Sequence, residues 1–168
     1  MKIGLLLLTT TILVLIADTA IASESDFLRS LQGKWAGQGV VRIRADSSPI
    51  NVTCNFDSRA SDTELSMTGR CRGMILISRP VGADLKFNGA KYNGTYLGPN
   101  GGKAGLAGSR SGNAINLTIL WPKLVNGDRK ADLTVQKVSD NGMRLTTMDV
   151  DPNSGNKVVT SRIDLRRN

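Results

Sequence analysis

Two stretches, Ile50-Asn51-Val52-Thr53-Cys54-Asn55-Phe56 and Leu65-Ser66-Met67-Thr68-Gly69-Arg70-Cys71, decide the fold of this chain. In both, apolar or small residues take every second position and polar residues take the others. This is the period at which side chains alternate across a β-strand. The polar residues between the stretches read as a turn, so the two form a hairpin with both cysteines on its inward face. Paired antiparallel with Cys54 opposite Cys71, the strands bring the two Cβ atoms near the spacing of a disulfide.

The same period extends in both directions. Upstream, Trp35, Gly37, Gly39, Val41 and Ile43 share one face, while Gln38, Arg42 and Arg44 take the other. Before that strand, Ser25 to Gln32 forms a short amphipathic segment whose Phe27, Leu28 and Leu31 can cover one end of a core. Downstream, turn chemistry recurs at Pro80 to Gly82, Asn88-Gly89, Pro99 to Gly102, Ser111 to Asn113, Asn126 to Asp128, Asp140 to Gly142 and Pro152 to Asn156. Between these turns lie candidate strands near 74–79, 83–88, 90–97, 103–110, 114–121, 131–138, 143–150 and 157–166. Some of them merge, leaving eight to ten real strands. Up-and-down strands with short turns, and no helices to cover a second face, predict an all-β fold: one antiparallel sheet closed into a barrel behind a short N-terminal helical turn. The outward face carries Gln38, Arg42, Arg44, Glu64 and Arg70, which argues against a lipid-facing outer-membrane barrel.

Two short motifs carry a family resemblance. Gly33-Lys34-Trp35 places a Gly-x-Trp at the start of the first strand, and the last strand carries Arg162 and Arg166. In this the chain resembles the calycins, the lipocalins and their relatives, and the resemblance implies a late arginine packed across the tryptophan. The alternation of the last strand instead turns Val159, Ile163 and Leu165 inward. The chain also resembles small bacterial inhibitors of secreted metalloproteases, which share the export signal, the tryptophan-led barrel and one disulfide. That resemblance implies an inhibitory N-terminal extension, for which Ser23 to Gln32 is the candidate.

The N-terminus reads as an export signal. Lys2 is followed by an apolar run from Ile3 to Ile16, and Ala20-Ile21-Ala22 supplies the small residues of a cleavage site. The run is shorter than the roughly 20 residues of a membrane-spanning helix. Residues 1–22 are therefore expected to be a signal peptide and 23–168 a single domain, periplasmic or secreted. Neither cysteine lies at the cleavage site, so no lipid anchor is expected. In an oxidising compartment, two cysteines with sixteen residues between them read as one disulfide.

Composition limits the chemistry. The chain contains no histidine, which excludes the common triads and most catalytic zinc sites. No catalytic residue, metal site or cofactor is assigned. The net charge of +8 serves solubility as readily as it serves an anionic partner. Arg42 and Arg44 on the first strand and Arg162 and Arg166 on the last would form a basic stripe in a closed barrel, for an anionic polysaccharide or an acidic protein. The seven aromatic residues of the chain do not interleave with these arginines, which disfavours nucleic acid.

Asn88 to Gly112 holds eight glycines. A phosphate loop ending at Lys103 fails there, because Leu97 and Ala104 replace the required glycine and hydroxyl. The glycines instead mark curved strands that can open a cavity, with Tyr92, Tyr96 and Trp121 as candidate ligand contacts. Asp149 to Gly155 only partly matches a calcium loop, and Thr160 stands where the bidentate glutamate belongs. The leading expectation is an exported, non-enzymatic barrel that binds a small or extended ligand. A protein-interaction module such as a protease inhibitor is the second reading. A carboxylate-dependent enzyme acting on envelope polysaccharide, using residues among Glu64, Asp84, Asp132 and Asp149, is the third.

Overall fold

A computed structural model describes residues 17–73, 77–99 and 102–168. The expected signal-peptide residues 1–16 lie outside the described residues. Helix α1 (Ala17–Ser30) leads into ten strands: β1 (Gly33–Val41), β2 (Ile50–Ala60), β3 (Glu64–Gly73), β4 (Ile77–Phe87) and β5 (Tyr92–Leu97), then β6 (Lys103–Ser111), β7 (Ala114–Val125), β8 (Asp128–Ser139), β9 (Gly142–Val150) and β10 (Lys157–Arg167). Each strand pairs antiparallel with its neighbours in the chain, and β10 pairs with β1 to close the barrel. Closure satisfies the sheet edges that an open meander would expose.

The deciding hairpin forms in the expected register. Cys54 faces Cys71 across β2 and β3, and the two are bonded as a disulfide. On β2, Val52, Cys54 and Phe56 are buried between exposed Asn51, Thr53, Asn55 and Asp57, a strict inside–outside alternation.

Four expectations need correction. The turn at Pro80 to Gly82 does not exist, because β4 runs straight through it and joins the candidate strands 74–79 and 83–88. Residues 74–76 lie outside the described residues. A proline is tolerated there because β5 pairs with β4 only as far as Gly82, so this half of β4 has no partner on that flank among the described residues. Strand β7 continues to Val125, past the expected end at 121, although its ladder with β8 is interrupted between Leu120 and Val125. Helix α1 begins before the expected segment and crosses the expected cleavage site. Finally, Val159 points outward and is 40% exposed. A bulge between Val159 and Ser161 adds one residue to β10 and reverses the phase, so that Ser161 continues the inward series.

The seam between β1 and β10 explains the Gly-x-Trp motif. Trp35 is buried, and its indole Nε1 donates to the Leu31 carbonyl at 3.0 Å. The Arg167 guanidinium lies 4.2 Å above the Trp35 ring. It donates to the Ser30 carbonyl at 2.7 Å and also to the Gln32 carbonyl. A cation at the C-terminal end of a helix satisfies orphan carbonyls and opposes the negative end of the helix dipole. Gly33 has φ +135°, and a Cβ there would come within 2.5 Å of the Arg167 guanidinium. Only glycine serves both needs. The arginine across the tryptophan is thus Arg167, and neither Arg162 nor Arg166. Both of those are exposed on the outward phase of β10, whereas Arg167 follows the inward phase of Ile163 and Leu165.

Removing the disulfide by Cys54→Ser with Cys71→Ser frees a loop of sixteen intervening residues in the unfolded chain, a cost of about 3 kcal/mol. Thermal melts with and without reductant should show a clear drop in midpoint, and an unchanged midpoint would contradict a structural role for the bridge. Arg167→Ala should lower the urea-unfolding free energy by about 2–3 kcal/mol, the scale of a cation–π contact plus charge-assisted hydrogen bonds. Arg167→Lys should recover only part of this, because an ammonium cannot span both carbonyls while stacking on the ring.

Candidate functional site

The barrel interior is packed at one end and hollow at the other. At the packed end α1 covers the opening with Leu28 and Leu31, which are buried against Trp35 and Tyr92. Ile115, Met143 and Leu165, all at most 2% exposed, fill the same half. The segment Ser23 to Gln32 is therefore committed largely to a plug and does not extend as an inhibitory arm.

Tyr92 belongs to this plug. Its hydroxyl donates to the buried Glu24 carboxylate, which also accepts from Arg110 Nε at 2.8 Å. Arg110 in turn lies 4.8 Å over the Phe27 ring. The buried carboxylate thus has two donors, the condition under which a charge can be held away from water. Tyr92 consequently latches the helix to the barrel and does not border the cavity.

The hollow half is a cavity of about 300 Å³ at the end of the barrel where β1 ends and β2 begins. Its wall is mainly apolar: Val52 and Phe56 from β2, Met67 and Cys71 from β3, Val81 and Ala83 from β4, and Leu133, Val135, Leu145 and Ile163 from β8 to β10. Thr147 and Ser161 contribute hydroxyls to the wall, and these bond to each other at 3.2 Å. Two charged side chains line the mouth, Arg42 and Arg79, and no carboxylate is among the described lining residues. The Arg42 amide donates to the Thr160 carbonyl at 2.7 Å, and its guanidinium donates to the Ser47 carbonyl.

Tyr96 lines the cavity, and its ring meets the Trp121 ring edge-on at 5.8 Å between centroids. Trp121 stands behind Tyr96 and is not itself a lining residue. Its indole Nε1 is buried without a hydrogen-bond partner among the described residues. Burial pushes the Tyr96 phenol up to about 12. Burial, with the neighbouring Glu24 carboxylate, raises Tyr92 further still.

The basic stripe does not form as expected. Strand β1 ends at Val41, which leaves Arg42 and Arg44 in the loop to β2. Arg44 is paired with Asp46 at 2.6 Å, and Arg42 turns to the cavity mouth. Arg162 and Arg166 stand opposite Val40 and Ala36, with Arg166 toward the packed end. A loop polarity pattern that imitates strand alternation caused the misassignment.

The four candidate carboxylates do not line the cavity. Glu64 pairs with Lys86 at 3.3 Å, Asp84 accepts from Ser66 Oγ at 2.6 Å, and Asp132 pairs with Lys157, all on the outward phase. Asp149 is buried beside the β7–β8 turn, where it accepts from Asn126 Nδ2 at 2.7 Å, and burial raises its pKa above the usual carboxylate range. In the suspected calcium loop, Asp151 accepts from the Asn153 amide and Ser154 Oγ, so its oxygens close the turn on itself.

Arg79 was missed, although its signal was present. It lies two residues before Val81 and four before Ala83, on the inward phase of β4, and reading Pro80 to Gly82 as a turn broke that phase.

No protein-family model and no curated protein matches the chain. Among solved structures it is similar to the crystal structure of Rv2717c from M. tuberculosis, with 14% identity and a TM-score of 0.63 over 89% of this chain and 97% of that one. It also matches the S-type phycobiliprotein lyase CPES from Guillardia theta, with 7% identity and a TM-score of 0.49 over 91% and 97% of the two chains. The likeness to Rv2717c is one of fold, a closed β-barrel spanning nearly the whole of both chains.

The tyrosines provide a direct test of the interior. The chain has only two, and both are internal with raised pKa values. An unfolded tyrosine ionises near pH 10. The raised folded values therefore contribute stability that is complete below about pH 10 and lost as the pH climbs toward 12. Phenolate absorbance should stay flat past about pH 10.5 and then rise together with the loss of far-ultraviolet dichroism. A phenolate step near pH 10 in folded protein would place a tyrosine in contact with water.

Proposed function

We propose that the chain is an exported binding protein of calycin type that holds a small, mainly apolar molecule in the open half of its barrel. The carrying observation is the cavity of about 300 Å³, sealed at one end by α1 and apolar over most of its wall. This volume falls at the small end of ligand pockets, which are typically apolar with a few placed polar groups.

Export is supported by the leader pattern and by the Cys54–Cys71 bridge, which suits an oxidising compartment. Cleavage after Ala22 retains Glu24, Phe27, Leu28 and Leu31, the residues that seat the plug. No helix among the described residues is long and apolar enough to cross a membrane. Binding is favoured over catalysis because the described lining residues include hydroxyls and arginines and no carboxylate, and the chain has no histidine.

The reading is tested by titrating the mature, disulfide-bonded protein with N-phenyl-1-naphthylamine, a neutral apolar dye. Its fluorescence should rise saturably at one dye per chain. Ala83→Trp, which fills the cavity between Val81 and Leu85, should weaken binding at least about tenfold while melting as a folded barrel. Saturable binding that Ala83→Trp leaves unchanged would move the site elsewhere, and no binding would end the proposal.

A further inference from the structure

We infer that the ligand is an anionic amphiphile: a single alkyl chain lies in the cavity and its acid group sits at the mouth between Arg42 and Arg79. This deepens the ligand-binding reading and rests on it.

The cavity is divided chemically along its length. Its inner wall is built from Phe56, Met67, Leu133 and Ile163, and the two hydroxyls in the wall, those of Thr147 and Ser161, already bond each other. Hydrocarbon fits such a lining without leaving a polar group of its own unpaired. The mouth differs. Its charged lining residues are both arginines, with no carboxylate beside them among the described lining residues to neutralise them.

The two arginines reach the mouth by different routes. Arg79 continues the inward phase of Val81, Ala83 and Leu85, on the part of β4 that extends beyond its pairing with β5. It makes no ion pair among the described residues. Arg42 is held from behind, with its amide on the Thr160 carbonyl and its guanidinium on the Ser47 carbonyl. Five N–H donors are more than one carbonyl can use, so donors remain for a ligand. Nearby Arg44 does not compete for an anion, because Asp46 holds it at 2.6 Å.

Two forked donors at the end of an apolar cavity match a carboxylate or a phosphate ester, which accept such forks through paired oxygens. A neutral head gains little from two positive charges, and a cationic head is repelled. The volume of about 300 Å³ is enough for one alkyl chain.

The test uses the mature, disulfide-bonded protein with N-phenyl-1-naphthylamine bound as reporter. Dodecanoate, dodecyl phosphate, dodecanol and dodecyltrimethylammonium are added as competitors below their micellar concentrations. At least one of the two acids should displace the dye at a concentration about tenfold or more below that needed for dodecanol, and the ammonium compound should be the weakest. Whichever acid is tighter identifies the head group. Rising salt should narrow the gap between acid and alcohol. Arg79→Gln should reduce the preference, and Arg42→Gln with Arg79→Gln should abolish it while dodecanol binding persists.

Equal displacement by acids and alcohol, or a preference that survives in the double variant, overturns the anionic head and leaves the apolar cavity standing. Failure of the dye itself to bind overturns the cavity reading as well. Arg79→Gln lies at an exposed strand end, so its effect can be read even if the double variant folds poorly.

Discussion

The guanidinium of Arg167 sits where three parts of the molecule meet. It stacks on Trp35 of the first strand, belongs to the last strand, and binds carbonyl groups at the end of α1. Barrel closure and plug placement are thereby coupled through one side chain. Gly33 completes the arrangement, since any side chain there would displace the guanidinium. The Gly-x-Trp motif is thus the trace in sequence of a contact whose other half lies more than a hundred residues later.

Once α1 is seated, the two halves of the barrel differ for steric reasons. The helix-covered half receives Trp35, Tyr92 and the leucines of the helix, and these large side chains are buried there. The open half receives Ala83, Thr147 and Ser161 among its lining residues and leaves space. The Glu24, Tyr92 and Arg110 network secures the plug, so the packed half is both the core of the domain and the floor of the cavity. The same physical division separates structural residues from candidate ligand contacts. Tyr92 and Tyr96 share a strand face four residues apart, yet one latches the helix and the other borders the cavity.

Much of the architecture was legible because strand alternation is local. Ile50 to Phe56 and Leu65 to Cys71 displayed their inward faces, and with them the disulfide and its register. The errors arose where nearby residues imitate another element. Pro80 to Gly82 has turn chemistry, but an unpaired flank of β4 accommodates it. Arg42 and Arg44 continue the polarity pattern of β1 after its hydrogen bonds have ended. The bulge at Thr160 reverses the phase of β10 through an inserted residue that polarity alone does not mark. Each error concealed part of the site: the first hid Arg79, the second placed Arg42 on the outer face, and the third turned Val159 inward in place of Ser161.

By itself the sequence determined an all-β chain of paired strands, a cysteine bridge within one hairpin and a tryptophan-led start to the sheet. These follow from side-chain alternation and turn chemistry, which covalent geometry imposes over a few residues. Tertiary structure alone decided which arginine meets Trp35, which tyrosine borders a cavity, and that one half of the barrel is hollow. The stagger of ten strands sets which inward residues share a level, and the volume left there is a sum over elements distant in sequence.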